Sequence, residues 1–176
     1  MQSTSLSRGT FSHHGVSIVS IDHRRFLLIV ALIGTLNAYA TIVLGGTVRG
    51  IGAGLACPDW PLCHGSIVPD LGDPLVAVEY AHRLVAAFTS LFFVLTFAVA
   101  ILWFRSERRL VTLSFMSVTL LVTQVAFGAL TITSSLDWVI VTIHLALGTA
   151  TFASGLVVTL LSMWPVTGPS RISSVD

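Results

Sequence analysis

The run LVAVEYAHRLVAAFTSLFFVLTFAVAILWF occupies residues 75–104 and is apolar except for a short group of ionisable residues near its start. As a helix it would be longer than the ~30 Å hydrocarbon core of a bilayer, since each helical residue adds ~1.5 Å. Three further apolar runs are also long enough to cross a membrane: about Phe26 to Val48, Leu110 to Ile132, and Trp138 to Trp164. The sequence therefore predicts an all-α integral membrane protein built as a bundle of four transmembrane helices.

The composition agrees with this class of protein. Hydrophobic residues make up 54% of the chain and charged residues 10%, and the mean hydropathy is +0.90. A soluble chain would carry roughly a quarter charged residues. The first run is too long for a cleaved signal peptide and lacks an A-x-A-type cleavage site. The net charge is only +1 and the basic residues are dispersed, so the sequence gives no support for a nucleic-acid partner.

Charges at the ends of the runs predict the orientation, because short loops rich in Lys and Arg stay on the cytoplasmic side. Basic residues mark the N-terminal segment, the middle loop and the C-terminal tail: Arg8, Arg24, Arg25, Arg105, Arg108, Arg109 and Arg171. The other two loops carry aspartates: Asp59, Asp70, Asp73 and Asp137. We therefore expect a cell-membrane protein with both termini cytoplasmic and an extended outer loop between the first two helices.

This arrangement divides the chain into a polar N-terminal tail (1–25), a four-helix transmembrane domain that binds haem (26–164) and a C-terminal tail (165–176). The haem assignment rests on residues in the second and fourth runs. In the first tail, His13 and His14 could bind a metal as a pair, although polar tails often carry such residues by chance.

Two histidines, His82 and His144, lie inside apolar runs at similar distances from the outer ends. An ionisable side chain within a membrane is costly and needs a partner. Helices two and four are diagonal in a simple up-down bundle, so both imidazoles can face its core and ligate one haem iron from opposite sides. Alternatively, each histidine only bonds a helix carbonyl or lines a polar pocket. Zinc fits less well, because it needs three or four ligands and Glu79 is the one further candidate at this level.

Small residues near the histidines, such as Ala86, Gly128 and Gly148, would permit a haem-sized gap, although such residues also serve close helix packing in membranes. Glu79 and Arg83 are spaced i, i+4 and share one helix face. They could form a simple interfacial salt bridge. In a functional site, the carboxylate could instead move protons at the haem edge and Arg83 could pair with a propionate.

The outer loop contains both cysteines, Cys57 and Cys63, in the segment CPDWPLC. An oxidising compartment makes a disulfide plausible, as either a structural staple or a redox-active pair. The spacing matches neither the C-x-x-C pattern of thioredoxins nor C-x-x-C-H haem attachment, although His64 directly follows Cys63.

Several of these segments together resemble the heme A synthase family: GGTVRGIGAGLACPDWPLCHG, EYAHRLVAAF, TQVAFGALTITSSL and VTIHLALGTATF, between about Gly45 and Phe152. The resemblance implies an oxidoreductase that converts the C8 methyl of heme O to a formyl group, giving heme A for a terminal oxidase. A heme O synthase would supply the substrate and an external partner would exchange electrons.

The resemblance also implies roles for individual residues. His82 and His144 would ligate the iron of heme b, heme O or heme A, and Glu79 would be the acidic residue at the reacting site. Arg83 and Arg49 would bind propionates. Cys57 and Cys63 would form the loop pair of the family, with a structural or haem-transfer role.

The chain differs from typical bacterial members, which look like two fused four-helix halves, because it resembles only the first, substrate-handling half. Either a homodimer supplies two haem sites and restores the twofold arrangement, as we expect, or the electron-accepting haem is missing. Two other functions remain open: a small membrane cytochrome b that carries electrons, and a non-catalytic haem carrier or assembly factor for a terminal oxidase.

Overall fold

The computed structural model describes residues 22–164. Within them, four long helices follow one another: α1 (His23–Gly50), α2 (Pro74–Trp103), α3 (Arg108–Thr133) and α4 (Trp138–Met163). A single 3-10 turn, Ala53–Leu55, follows α1. All four helices are long and apolar enough to cross a membrane, and the described residues contain no strand. The predicted all-α class with four spans is therefore confirmed.

Aspartates determine where three of the helices begin. The side chain of Asp73 accepts a hydrogen bond from the backbone N–H of Leu75 at 2.8 Å, and Asp137 accepts one from Val139 at 2.9 Å. Asp22 does the same for α1, accepting from the N–H of Arg24 at 3.0 Å. Such caps satisfy N–H groups that have no partner within the helix. The cap explains why α1 begins before the apolar run predicted from Phe26.

The helices form an up-down bundle in which α1 packs against α2 and α4, and α3 packs against the same two helices. Helices α2 and α4 are therefore diagonal, as expected. Near the end that carries the loop between α2 and α3, the core is aliphatic: Leu27, Ala31, Val99, Ala100, Leu110 and Val158. A smaller cluster of Ala38, Phe93 and Leu121 lies further along the bundle.

Threonine and serine hydroxyls occupy much of the remaining core. Thr35 and Thr159 meet between α1 and α4 at 3.0 Å, and Thr41 and Thr89 meet between α1 and α2 at 3.1 Å. Each of these hydroxyls also lies within hydrogen-bond distance of a carbonyl one turn earlier in its own helix. Small hydroxyl residues allow close helix approach in lipid while keeping their polar atoms satisfied.

The predicted basic segments that the structure describes share one end of the bundle. Arg24, at the start of α1, forms an ion pair with Glu107 in the α2–α3 loop and contacts the Phe104 ring. Its guanidinium also donates to the carbonyl of Leu161 near the end of α4. That this end faces the cytoplasm stays a prediction.

The tails lie mostly outside the described residues, and so do the residues assigned to them: His13, His14, Arg8 and Arg171. The proposed tail boundaries stay predictions for the same reason. We call the opposite end of the bundle, which carries residues 51–73, the loop end.

Candidate functional site

The two predicted iron ligands lie near the loop end, on diagonal helices. His82 is ~12 Å along α2 from Pro74, and His144 is ~9 Å along α4 from Trp138, at ~1.5 Å per residue. Both residues are half-buried. The structure therefore brings the pair to a similar level, as the sequence predicted.

The tautomer of His144 follows from its hydrogen bond. Its Nδ1 lies 3.0 Å from the backbone carbonyl of Gln124 on α3. A carbonyl only accepts, so Nδ1 carries the proton and Nε2 keeps its lone pair. This is how proteins commonly orient an imidazole that binds a metal through Nε2.

His82 shows a different feature that also suits a ligand. Its Nδ1 is a buried polar atom near the backbone of Thr41, but within the described residues it makes no hydrogen bond of normal geometry. A buried polar nitrogen without a partner is unfavourable by ~1–3 kcal/mol. Such atoms are rare in folded proteins and are commonly found where a ligand binds or a functional group acts.

A glycine on the preceding helix contacts each imidazole. A Cβ built on Gly45 of α1 would lie 3.1 Å from Cε1 of His82, and a Cβ on Gly128 of α3 would lie 3.1 Å from Cε1 of His144. The two helix pairs therefore hold their histidines in matching ways. Each ring lies, with Cε1 nearest, beside a backbone position that bears no side chain.

A small cavity lies one helical turn from the histidines, lined by Ala38, Thr41, Ala86, Thr89, Leu121, Gln124, Val125 and Gly148. Its volume is about 20 Å³, enough for about one water molecule. Ala86 and Gly148 thus line a space near the site. That this space opens into a haem-sized gap stays a prediction.

Glu79 and Arg83 form the ion pair that their spacing predicted. Nε of Arg83 donates to Oε1 of Glu79 at 2.9 Å. Unlike a simple interfacial pair, this one is enclosed, since Glu79 is 5% exposed. The carboxylate lies one turn before His82 on the same helix, beside the candidate iron ligands and away from bulk solvent.

The cysteines form a disulfide, Cys57–Cys63, and both are buried against Val76 at the start of α2. The loop they close surrounds the side chain of Arg83. Nη1 of Arg83 donates to the carbonyls of Asp59 at 2.7 Å and Leu62 at 2.6 Å. Nη2 donates to the carbonyl of Cys57 at 2.8 Å.

Asp59 organises the second half of this loop. Its carboxylate accepts hydrogen bonds from the backbone N–H groups of His64 at 2.7 Å and Gly65 at 2.8 Å. The bond from Gly65 is the main cause that lowers the pKa of Asp59 below its usual value of 3.8. His64 Nε2 in turn donates to the carbonyl of Ala56 at 2.9 Å, which gives this histidine a structural role in the loop.

Arg49, the other predicted propionate ligand, lies in the last turn of α1 at the loop end. It is exposed, and the described part of the chain contains no ion pair that involves it. Among residues 22–164, no three His, Cys, Asp or Glu side chains come together as a metal-binding group.

Sequence reasoning missed three residues of the site: Gly45, Gln124 and Asp59. Gly45 had a visible signal, because a glycine within an apolar helix often marks a close approach. Gln124 acts through its backbone carbonyl, so its side chain gave no signal. Asp59 was used only as a charge that marked an outer loop.

Comparison with known proteins gives consistent matches. The model of the COX15-CtaA family, described as "Cytochrome oxidase assembly protein", matches residues 25–173. A heme A synthase of Exiguobacterium sibiricum is 26% identical over 79% of this chain and 47% of its own length. A heme A synthase of Bacillus pumilus is 31% identical over 77% of this chain and 44% of its own. The chain thus spans about half the length of these curated relatives.

A relative with a different name also matches. Protoheme IX farnesyltransferase 1 of Natronomonas pharaonis is 36% identical over 66% of this chain, but the match covers 24% of that protein. The matches to the family model and to the heme A synthases confirm the resemblance that the motifs indicated.

Proposed function

The chain belongs to the COX15-CtaA family of cytochrome oxidase assembly proteins, and on that premise we propose that it acts in heme A biosynthesis. The proposed reaction is oxidation of the C8 methyl of heme O to a formyl group. The observation that carries the proposal is a buried carboxylate, Glu79, one turn from a pair of diagonal histidines. An electron carrier requires the histidines but not the carboxylate.

His82 and His144 are the proposed axial ligands of the haem iron. The fixed tautomer of His144 supports this assignment, because it leaves Nε2 with a lone pair for iron. When bound, the haem supplies the redox chemistry. The contribution of the chain is to hold the two imidazoles beside Gly45 and Gly128 on diagonal helices.

Glu79 is the proposed acid–base group. It is shielded from solvent, and its Oε1 is held by Arg83, so the carboxylate is oriented before substrate arrives. A positioned carboxylate can take or return a proton as the methyl group is oxidised, a contribution typically worth ~10²–10⁴-fold in rate. Arg49 is the proposed propionate ligand, because its guanidinium is exposed at the same end of the bundle.

Partners and location follow from the same proposal. The named farnesyltransferase relative contains a segment similar to this chain, which supports delivery of heme O by a prenylating enzyme in the same membrane. We further propose an external electron-transfer partner, a terminal oxidase as the destination of the product, and a homodimer that pairs two four-helix units. The protein would lie in the cell membrane with both termini cytoplasmic.

The test is co-expression with a heme O synthase, followed by acid extraction and chromatography of the haem. We expect heme A or its hydroxylated intermediate. Glu79→Gln should lower the yield by roughly two orders of magnitude or more, as expected when a general acid–base group is lost, and should leave the bis-histidine haem spectrum in place.

The matched control is Glu107→Gln, which breaks an Arg–Glu ion pair at the opposite end of the bundle and should leave the yield unchanged. Bound haem with no oxidised product in the unmodified protein would contradict the proposal. That result would favour the electron carrier if the haem is redox-active with an external partner, and the haem carrier if it is transferred to an oxidase.

A further inference from the structure

The guanidinium of Arg83 is almost fully occupied by groups of its own chain. Arginine has five N–H donors. Nε binds Glu79, both Nη1 hydrogens have carbonyl partners in Asp59 and Leu62, and Nη2 binds the carbonyl of Cys57. Binding a propionate in the fork geometry needs two parallel N–H groups, and Arg83 has only one left.

These bonds join parts of the chain that are distant in sequence. The three carbonyls belong to the ring closed by the Cys57–Cys63 disulfide, whereas Glu79 and Arg83 lie on α2. Carbonyls along a short loop point in different directions unless the loop is constrained. The disulfide supplies that constraint, since it holds the two ends of the loop against Val76.

We infer that Arg83 is a positioning residue that couples the Cys57–Cys63 loop to the orientation of the Glu79 carboxylate. Its guanidinium donates to one carboxylate and three carbonyls. A change in the loop that moves the guanidinium therefore alters the hydrogen bond from Nε of Arg83 to Glu79. Opening the disulfide restores conformational freedom to the loop and disperses the carbonyls. The importance of this coupling for the reaction rests on the proposed role of Glu79.

The first test compares Arg83→Lys with Arg105→Lys, in purified protein with haem bound; Arg105 is an exposed arginine at the opposite end of the bundle, where its Nε donates to the carbonyl of Ile101. Lysine keeps the positive charge but is a compact point charge that cannot span four acceptors. The readout is the rate at which a small dithiol reduces Cys57–Cys63, followed by alkylation of the released thiols. In this probe reaction the dithiol gives two electrons to the S–S bond, which becomes two thiols, and is itself oxidised to a disulfide.

We expect Arg83→Lys to accelerate reduction roughly tenfold or more, the ratio that corresponds to losing one hydrogen bond to a charged group. Arg105→Lys should react like the unmodified protein. The inference is overturned if Arg83→Lys also reacts like the unmodified protein. A shift in haem midpoint potential with unchanged dithiol reactivity would instead assign Arg83 to a propionate.

The second test leaves Arg83 intact, and so decides the question even if its variants do not fold. Reduction of the disulfide in the unmodified protein should shift the infrared band of the Glu79 carboxyl, identified by its loss in Glu79→Gln. The Glu107 band, identified in Glu107→Gln, should not move. An unchanged Glu79 band overturns the coupling. Neither readout depends on conversion of heme O, so failure of this inference and failure of the proposed function are distinguishable.

Discussion

At the scale of single residues, the orientation of the candidate ligands depends on missing side chains. Gly45 and Gly128 each lie where a methyl group would press on an imidazole Cε1 at 3.1 Å. That is closer than ordinary van der Waals contact between carbons. A methyl group at either position would therefore displace the ring and change the direction in which its nitrogens point. Gly45 and Gly128 therefore affect the histidines only by leaving room for the imidazole rings.

Gly45→Ala should weaken haem binding roughly five- to tenfold, since overpacking by one methyl costs about 1 kcal/mol or more. A haem titration followed by Soret absorbance measures the change. Gly46→Ala is the matched control, because a Cβ there meets nothing within 4 Å. Both substitutions raise helix propensity equally, so that effect cancels. Equal haem affinity in the two variants would show that Gly45 does not position His82.

Asp59 gives the loop a pH dependence with a definite sign. Its pKa in the folded protein is below the usual 3.8, so the loop is stabilised by the ionised carboxylate above that pH and loses this contribution as pH falls through the folded value. Hydrogen exchange at His64 and Gly65, corrected for intrinsic rates, should be slow at neutral pH and should accelerate in acid below 3.8.

Asp59→Asn should exchange faster than the parent at neutral pH, and the acid-dependent step should disappear. Asp70→Asn is the control, since Asp70 accepts only a local bond from Gly72. An acid-dependent step that persists in Asp59→Asn would assign it to another group.

At the scale of elements, the helices were predictable and the loop was not. Apolar runs and the need to satisfy backbone groups in lipid leave helices as the natural outcome, and the structure places all four where the runs indicated. The helix ends depend on caps such as Asp22, which lies outside the apolar pattern. The loop conformation depends on bonds from Arg83 to carbonyls more than 20 positions away in sequence. Such bonds have no local signature.

The packing of α1, α2 and α4 depends on Gly155. A Cβ there would lie 2.7 Å from Cζ of Phe93 and 3.0 Å from Oγ1 of Thr35. Gly155→Ala should therefore destabilise the bundle by about 1–3 kcal/mol, the usual cost of forcing a core ring to move, and lower the midpoint of thermal unfolding in detergent. Gly148→Ala, on the same helix, makes its nearest contact at 3.4 Å and should be tolerated. Equal midpoints would show that Phe93 can move freely.

At the scale of the whole molecule, the candidate site and the basic α2–α3 loop lie at opposite ends of the bundle. The histidines, the Glu79–Arg83 pair and the disulfide loop lie at the loop end, whereas Arg24, Glu107 and the basic α2–α3 loop lie at the other. A disulfide is stable in an oxidising compartment, and basic loops stay in the cytoplasm. Two independent properties of the chain thus favour the same orientation, with the candidate site facing outward.

This orientation can be tested by labelling, because the native cysteines are paired with each other and leave the background low. Ser106→Cys places an exposed thiol in the α2–α3 loop, and Ser135→Cys places one in the turn between α3 and α4. In intact cells, a membrane-impermeant maleimide should label Ser135→Cys and should label Ser106→Cys only after permeabilisation. The reverse pattern would put the candidate site on the cytoplasmic side. It would also place the disulfide in a reducing compartment, where thiols are kept reduced, so the coupling through Arg83 would be lost together with the outward site.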